Sequence, residues 1–162
     1  GSQRRLAKTA AKDKSHDLAL LRIEGAPLPA MTLHTGGPVR EGQSVAFTGF
    51  PIGGVLGLSP VTHRGIISAI TPIALPGATA NQLNEQVIKR LKSGTFEVYQ
   101  LDATAYPGNS GGPLYEMEKG EVIGIINMVF VKSTKESVLS QPSGISFAVP
   151  VLYLQELLRD VR

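Results

Sequence analysis

The chain has no cysteine and no tryptophan among its 162 residues. Without cysteine there can be no disulfides, so packing alone must stabilise the fold, and the redox compartment stays open. Aromatic residues are few, whereas glycine and proline number 18 and 11. This composition favours an all-β fold with many turns over a helix bundle. With 42% hydrophobic residues, the chain can bury a real core as one domain or as two small barrels.

Long apolar runs are also missing. None approaches about twenty residues, so we expect no membrane span. The net charge is only +3, and the basic residues near the N terminus and in one predicted helix form no stripe interleaved with aromatic residues. We interpret them as solvated faces and expect no nucleic-acid partner. A scaffold that bound nucleic acid or membrane through a basic face would show a steep salt dependence, which we do not expect.

The most informative segment is Gln100–Leu114, which places Ser110 within Pro-Gly-Asn-Ser-Gly-Gly-Pro. A serine hydroxyl reacts usefully only if it is oriented, loses its proton and has its oxyanion stabilised. We assign Gly108, Asn109 and Ser110 to an oxyanion hole, in which the amides of Gly108 and Ser110 converge and Asn109 fixes the turn through side-chain hydrogen bonds. The alternative is an ordinary loop, since each of these residue types is common in turns.

The serine motif resembles that of the trypsin-like (chymotrypsin-fold) serine proteases, and further segments narrow the resemblance to the HtrA/Deg branch. These segments are Asp17–Ile23, Gly42–Gly53, Thr62–Ala69 and the closing strands Gly120–Asn127 with Gly144–Pro150. The resemblance implies an all-β, trypsin-like double β-barrel with an incomplete first barrel, a nearly complete second barrel, one inserted helix and a C-terminal helix. It also implies a serine endopeptidase that acts on polypeptides and needs no cofactor or metal.

By this resemblance Ser110 is the nucleophile and Asp17 orients a general-base histidine. In the family the histidine precedes the aspartate by a few tens of residues, and here only sixteen residues precede Asp17. Because Gly1-Ser2 is typical of residues left by an expression vector, we expect the histidine to lie outside this sequence. We therefore expect the chain itself to be inactive or nearly so. The alternative is a protease homologue that lost its histidine and binds peptides without cleaving them.

The three histidines that are present are not expected to replace the missing base. His16 adjoins Asp17, but neighbouring side chains on an extended segment point to opposite faces, so we interpret His16 as a surface loop residue. His34 lies in a predicted exposed connection, and His63 is interpreted as a residue on the surface of a strand.

Apolar patterning predicts strands at 3–12, 17–23 and 43–50 for the first barrel, with Leu18–Leu21 covered on both faces. The second barrel takes strands at 60–70, 96–103, 113–116, 121–131 and 144–149. The predicted organisation is thus a partial barrel carrying Asp17 (1–55), a barrel carrying Ser110 (56–150) and a helix (151–162). Because a half-barrel leaves unpaired edges, we predict disorder, strand exchange or dimerisation around residues 1–50.

Two helices are predicted. Between Pro72 and Gly94, apolar residues recur every four positions behind a capping box, which indicates an amphipathic helix that either packs on the barrel or serves regulation or assembly. The C-terminal helix presents one apolar face, formed by Val151, Leu154, Leu158 and Val161.

The predicted specificity pocket has Thr104 and Ala105 on one wall, Ile126 and Asn127 on another, and Ile145 nearby. No acidic residue lies at its base, so we expect small aliphatic side chains before the scissile bond. The backbone of Ile126 and Asn127 is expected to pair with an extended peptide as an added strand, which suits unfolded segments. The family resemblance favours an extracytoplasmic location.

Overall fold

The computed structural model describes residues 4–51, 59–73, 96–127 and 145–161. Within these residues there are eight strands and one helix. They are β1 (Ala7–Asp13), β2 (Leu18–Ile23), β3 (Ser44–Gly49), β4 (Val61–Ile73), β5 (Phe96–Asp102), β6 (Pro113–Glu116), β7 (Val122–Asn127), β8 (Ile145–Pro150) and α1 (Val151–Arg159). This architecture confirms the all-β prediction. The inserted helix predicted between Pro72 and Gly94 falls outside the described residues.

Strands β1 and β2 form a two-stranded antiparallel sheet in which Asp13 lies opposite Leu18. We expected β2 to be covered on both faces, and this is wrong, because Leu18 is 8% exposed whereas Leu21 is 61% exposed. One face of the sheet packs on the rest of the molecule, and among the described residues none covers the other face. The prediction of an incomplete first barrel is thereby confirmed.

The other six described strands close a barrel in the order β3-β4-β5-β8-β7-β6. Assigning residues 43–50 to the first barrel was wrong, because β3 pairs with both β4 and β6. Phe47 lies opposite His63 on one side and Leu114 on the other. Without β3, both neighbouring strands would present open edges. The barrel therefore starts at Ser44 rather than at residue 56.

Two apolar clusters stabilise the barrel and the two-stranded sheet packed on it. One fills the barrel and includes Val45, Phe47, Ile67, Leu101, Leu114, Ile123 and Ile126. The other lies between the outside of the barrel, the two-stranded sheet and α1, and its buried members are Leu18, Phe96, Val98, Val149 and Leu157. Because Leu18 directly follows Asp17, the second cluster also determines where the candidate acid lies.

Helix α1 confirms the predicted C-terminal helix and, at Val151 and Leu154, part of its predicted apolar face. Leu157 is 7% exposed, whereas Leu158, which we expected to be buried, is 36% exposed. Tyr153 and Leu154 pack against the second cluster beside Leu157, so the buried stripe follows the i, i+3 and i+4 spacing from these residues. At nine residues α1 is too short to cross a bilayer, and the described part of the chain holds no other helix that could.

Residues 24–43 connect the two-stranded sheet to the barrel and run beside the start of β7. The N–H of His34 donates to the carbonyl of Val122 at 2.9 Å. The prediction of an exposed connection is wrong for the His34 side chain, which is 20% exposed. Its Nδ1 bonds the Glu121 carboxylate at 2.7 Å and its Nε2 bonds the Gly37 carbonyl at 2.9 Å. These contacts attach the connection to the barrel.

Candidate active site

Ser110 is exposed on a tight turn between β5 and β6. The turn is closed by a hydrogen bond of 3.0 Å from the N–H of Asn109 to the carbonyl of Tyr106. Gly108 has a φ of +104°, and a Cβ at this position would collide with the carbonyl oxygen of Phe50. Position 108 therefore requires glycine, because of its positive φ and because the backbone of Phe50, just after β3, lies too close for a Cβ.

A pair of backbone hydrogen bonds attaches the turn to β7. The N–H of Gly111 donates to the carbonyl of Ile126, and the N–H of Ile126 donates to the carbonyl of Gly112, each at 2.9 Å. We expected the backbone of Ile126 to pair with an extended peptide, and this is wrong because the turn occupies both of its polar groups. These bonds instead fix Ser110 relative to the strand that ends at Asn127.

Asn109 is fully buried behind the nucleophile turn. Its side chain lies against Gly49 of β3, where a Cβ would come within 2.5 Å of Oδ1. The expected side-chain hydrogen bonds are not found, since neither Oδ1 nor Nδ2 has a partner among the described residues. The N–H of Asn109 is bonded to Tyr106, so Asn109 offers no amide to an oxyanion hole. The expected donors are then Gly108 and Ser110.

Asp17 ends the turn that joins β1 to β2 and has a φ of +55°. Its Oδ2 accepts a hydrogen bond of 3.0 Å from Nδ2 of Asn127, the last residue of β7. Asp17 and Ser110 line one pocket of about 90 Å³, together with Asn127 and several apolar residues. The fold thus brings the predicted nucleophile and the predicted acid to one pocket although they lie far apart in sequence.

Sequence reasoning placed Asn127 on a substrate wall and missed its contact with Asp17. The available signal was an asparagine at the end of the apolar run Val122–Ile126, and the structure leaves this residue only 6% exposed. A buried amide requires hydrogen-bond partners. That requirement, however, does not identify the partner, because Asp17 is distant in sequence.

His16 does not approach the pocket, although it adjoins Asp17. Its Nδ1 bonds the carboxylate of Asp13, and its ring stacks on Tyr153 with the ring centroids 3.9 Å apart. The surface-loop interpretation is therefore wrong for the side chain, which is 21% exposed. The conclusion that His16 is not the base agrees with this geometry.

The other two histidines are also not among the residues that line the pocket. The ring of His63 stacks on Phe47 at 5.0 Å, and burial lowers its pKa. For His34, the carbonyl of Gly37 and then the carboxylate of Glu121 raise the pKa. The interpretation of His63 as a strand-surface residue is therefore wrong for its ring, which packs against the barrel core.

Of the five residues predicted to form a specificity pocket, Ile126 and Asn127 line the pocket shared by Asp17 and Ser110. Ala105 is buried in the barrel core, and its N–H donates to the hydroxyl of Ser146 at 2.9 Å. Thr104 does not line this pocket. Ile145 begins β8, but its side chain lies outside the described part of the chain. The assignment of Thr104, Ala105 and Ile145 to a substrate wall stays a prediction.

Comparison with known sequences identifies similar proteins over most of the chain. Residues 1–125 match the family described as trypsin-like peptidase domain. The chain is 33% identical over 145 residues to a probable periplasmic serine endoprotease, DegP-like, of Pseudomonas fluorescens. It is 35% identical over 146 residues to the mitochondrial serine protease HTRA2 of Drosophila pseudoobscura. Both alignments cover 90% of this chain but 25% and 28% of these relatives, so the chain spans about a quarter of their length.

Solved structures show the same similarity. The HtrA-type protease AlgW, solved with a tripeptide, has a TM-score of 0.63 at 30% identity, covering 96% of this chain and 43% of that one. Rv3671c from Mycobacterium tuberculosis has a TM-score of 0.64 at 19% identity, covering 96% of this chain and 64% of that one. The second similarity concerns the fold alone.

Proposed function

Because the chain belongs to the trypsin-like peptidase family, we propose that it carries the nucleophile and the acid of a serine endopeptidase of the HtrA/Deg type. One observation carries the proposal: Ser110 and Asp17 line the same pocket. The hydrogen bond from Asn127 orients the Asp17 carboxylate there. Acyl transfer by a serine hydroxyl requires the nucleophile and the acid to face a common space in which one histidine can bond both.

In the proposed reaction the Oγ of Ser110 attacks the carbonyl carbon of the scissile peptide, and its proton passes to Nε2 of a histidine seated in the pocket. The N–H groups of Gly108 and Ser110 stabilise the resulting oxyanion. Asp17 accepts the Nδ1–H of that histidine and stabilises the imidazolium, which then protonates the leaving amine. Water, activated by the same imidazole, releases the acyl group from Ser110.

The general base is proposed to come from outside these 162 residues, since His16, His34 and His63 are packed elsewhere. Loss of one triad member costs roughly 10⁴–10⁶ in rate in serine proteases. The 162-residue chain alone should therefore cleave peptide bonds negligibly. The substrates are proposed to be unfolded or extended polypeptide segments with small aliphatic residues before the scissile bond. An extracytoplasmic location is supported by the periplasmic names of the DegP-like relatives.

Fluorophosphonate labelling of Ser110, with and without added imidazole, tests the proposal in the 162-residue chain. Labelling should be slow without imidazole and should accelerate with the concentration of the neutral base, because imidazole that enters the pocket can accept the Ser110 proton. Ser110→Ala should abolish labelling, and Asp17→Ala should lower the imidazole-supported rate. Rapid, stoichiometric labelling without imidazole would mean that a base is already in place.

A second candidate is a non-catalytic homologue that binds peptides, and the absence of all three histidines from the lining of the pocket favours it. In that case imidazole would leave labelling unchanged while an unfolded peptide still bound. Any natural sequence found upstream of Gly1 would also separate the two candidates. A histidine in a short turn favours the enzyme, and its absence favours the binding protein.

A further inference from the structure

Asp17 occupies a backbone conformation that its neighbours must maintain. It is the one non-glycine residue with positive φ in the described part of the chain, at +55°. Aspartate tolerates this left-handed region better than most residues, but it is still disfavoured there. Such a conformation persists where the surrounding structure constrains it. The contacts on either side of Asp17 therefore bear directly on where its carboxylate points.

The turn before Asp17 is closed by one carboxylate. Asp13 accepts hydrogen bonds from the N–H of Ser15 at 2.9 Å, from the N–H of His16 at 3.2 Å and from Nδ1 of His16. The ring nitrogen and the backbone of His16 are thus bonded to the same group. This arrangement fixes the ring relative to the residue that precedes Asp17.

The His16 ring in turn contacts two aromatic residues from the barrel side of the molecule. It stacks on Tyr153 of α1 with an interplanar angle of 17° and a centroid distance of 3.9 Å. It meets Phe96 of β5 edge-on at 4.7 Å, and Phe96 meets Tyr153 edge-on at 5.6 Å. The three rings form a closed aromatic cluster, which includes Tyr153 and Phe96 of the second apolar core.

We propose that His16 and Tyr153 are positioning residues for Asp17, and this inference rests on the proposed function. The stacked pair attaches the turn to α1 on one side, and the amide of Asn127 attaches the carboxylate to β7 on the other. Neither His16 nor Tyr153 lines the pocket of Ser110, so both act through the backbone of Asp17. Helix α1 thereby orients the acid without touching the reacting atoms.

The test replaces Tyr153 and follows the side-chain amide signal of Asn127 by NMR in the 162-residue chain. Asp17→Ala, which removes the acceptor of that amide, supplies the reference position of the signal. Tyr153→Leu removes the ring, and the Asn127 signal should move partway from the wild-type position towards the reference. Tyr153→Phe keeps the ring and should leave the signal near wild type. His16→Gln, which can still donate to Asp13 but cannot stack, should repeat the Tyr153→Leu shift even if Tyr153→Leu fails to fold.

Leu157→Val is the matched control, because Leu157 is buried in the same cluster and on the same helix. It should lower the melting temperature without moving the Asn127 signal. If Tyr153→Leu and His16→Gln move the signal no more than Leu157→Val does, the positioning role is wrong. In imidazole-supported labelling, the two ring-removing variants should react roughly 10- to 100-fold more slowly, as expected for a misplaced catalytic group.

The two proposals fail in different ways. If Asp17→Ala leaves imidazole-supported labelling of Ser110 unchanged, the proposed function is wrong, whatever the NMR shifts show. If Asp17→Ala slows labelling but the ring-removing variants leave both the rate and the Asn127 signal at wild type, only the positioning role is wrong.

Discussion

Nδ2 of Asn127 donates a hydrogen bond of 3.0 Å to Oδ2 of Asp17, and this contact joins the barrel to the two-stranded sheet at the pocket of Ser110. The donor is almost fully buried at the end of β7, whereas Asp17 is largely exposed. A fixed amide therefore orients a carboxylate that solvent would otherwise leave free to rotate. On the same strand, the carbonyl of Ile126 accepts a hydrogen bond from the N–H of Gly111. One strand thus positions both the acid and the nucleophile turn.

Replacing Asn127 tests this relationship directly. Asn127→Ala should slow imidazole-supported labelling of Ser110 about tenfold, because one hydrogen bond to a charged group contributes roughly 1.5 kcal/mol. Asn127→Asp should slow it further, since a carboxylate in place of the amide removes the donor and repels the negative charge of Asp17. Thermal unfolding of each variant serves as the control for stability. A wild-type labelling rate in Asn127→Ala would show that the contact has no role in the chemistry.

Gly49→Ala should disturb the nucleophile turn through Asn109. A Cβ at position 49 would lie within 2.5 Å of Asn109 Oδ1 and within 2.9 Å of its Cα. We expect urea unfolding to show a loss of roughly 1–3 kcal/mol from overpacking and slower labelling of Ser110. Gly37→Ala is the matched control, since a Cβ there meets no atom within 4 Å, and it should change stability by no more than about 0.5 kcal/mol.

His34 should make stability depend on pH. The carbonyl of Gly37 and the carboxylate of Glu121 raise its pKa above 6.5 in the folded state. The folded state then binds the proton more tightly, so the stabilisation is complete below about pH 6.5 and is lost as pH rises through the raised pKa. Melting temperatures of the wild type and His34→Gln should therefore converge as pH rises. A constant difference between about pH 5 and pH 9 would contradict this assignment.

The pH dependence of stability expected from His63 has the opposite sign to that expected from His34. Burial lowers the pKa of His63 in the folded state. The unfolded chain therefore binds the proton more tightly, and the folded state loses stability as pH falls below about 6.5. His63→Phe should remove that loss at acidic pH. If the melting temperatures of His63→Phe and the wild type differ by the same amount at acidic and neutral pH, the ring is not desolvated as described.

The uncovered face of β2 should promote self-association. Leu21 and Ile23 are 61% and 42% exposed, and Leu6 next to them is 71% exposed. Exposed apolar residues on a two-stranded sheet favour pairing between molecules. We expect sedimentation velocity to show dimers or larger species that Leu21→Glu weakens. Leu152→Glu, on α1 at 52% exposure, is the control, and a monomeric wild type would contradict the prediction.

The strands and the nucleophile turn could be predicted because their signals are local. Alternation of apolar residues located β4 and β5 within a few residues, and the glycines around Ser110 indicated a turn that only glycine permits at position 108. The partners of β3 could not be predicted, since its apolar pattern suits either barrel. The choice of Leu157 over its neighbour Leu158 likewise depends on which side of α1 meets the second cluster.

By itself the sequence determined that this is a turn-rich β protein with a serine in a glycine-rich turn and an aspartate before an apolar strand. Only the tertiary structure decided that Asp17 and Ser110 share a pocket, that Asn127 binds the acid, and that His16 turns away to stack on Tyr153. The reason is physical. Backbone preferences act over a few residues, whereas these contacts join residues about a hundred positions apart and exist only once barrel closure and strand register have placed them together.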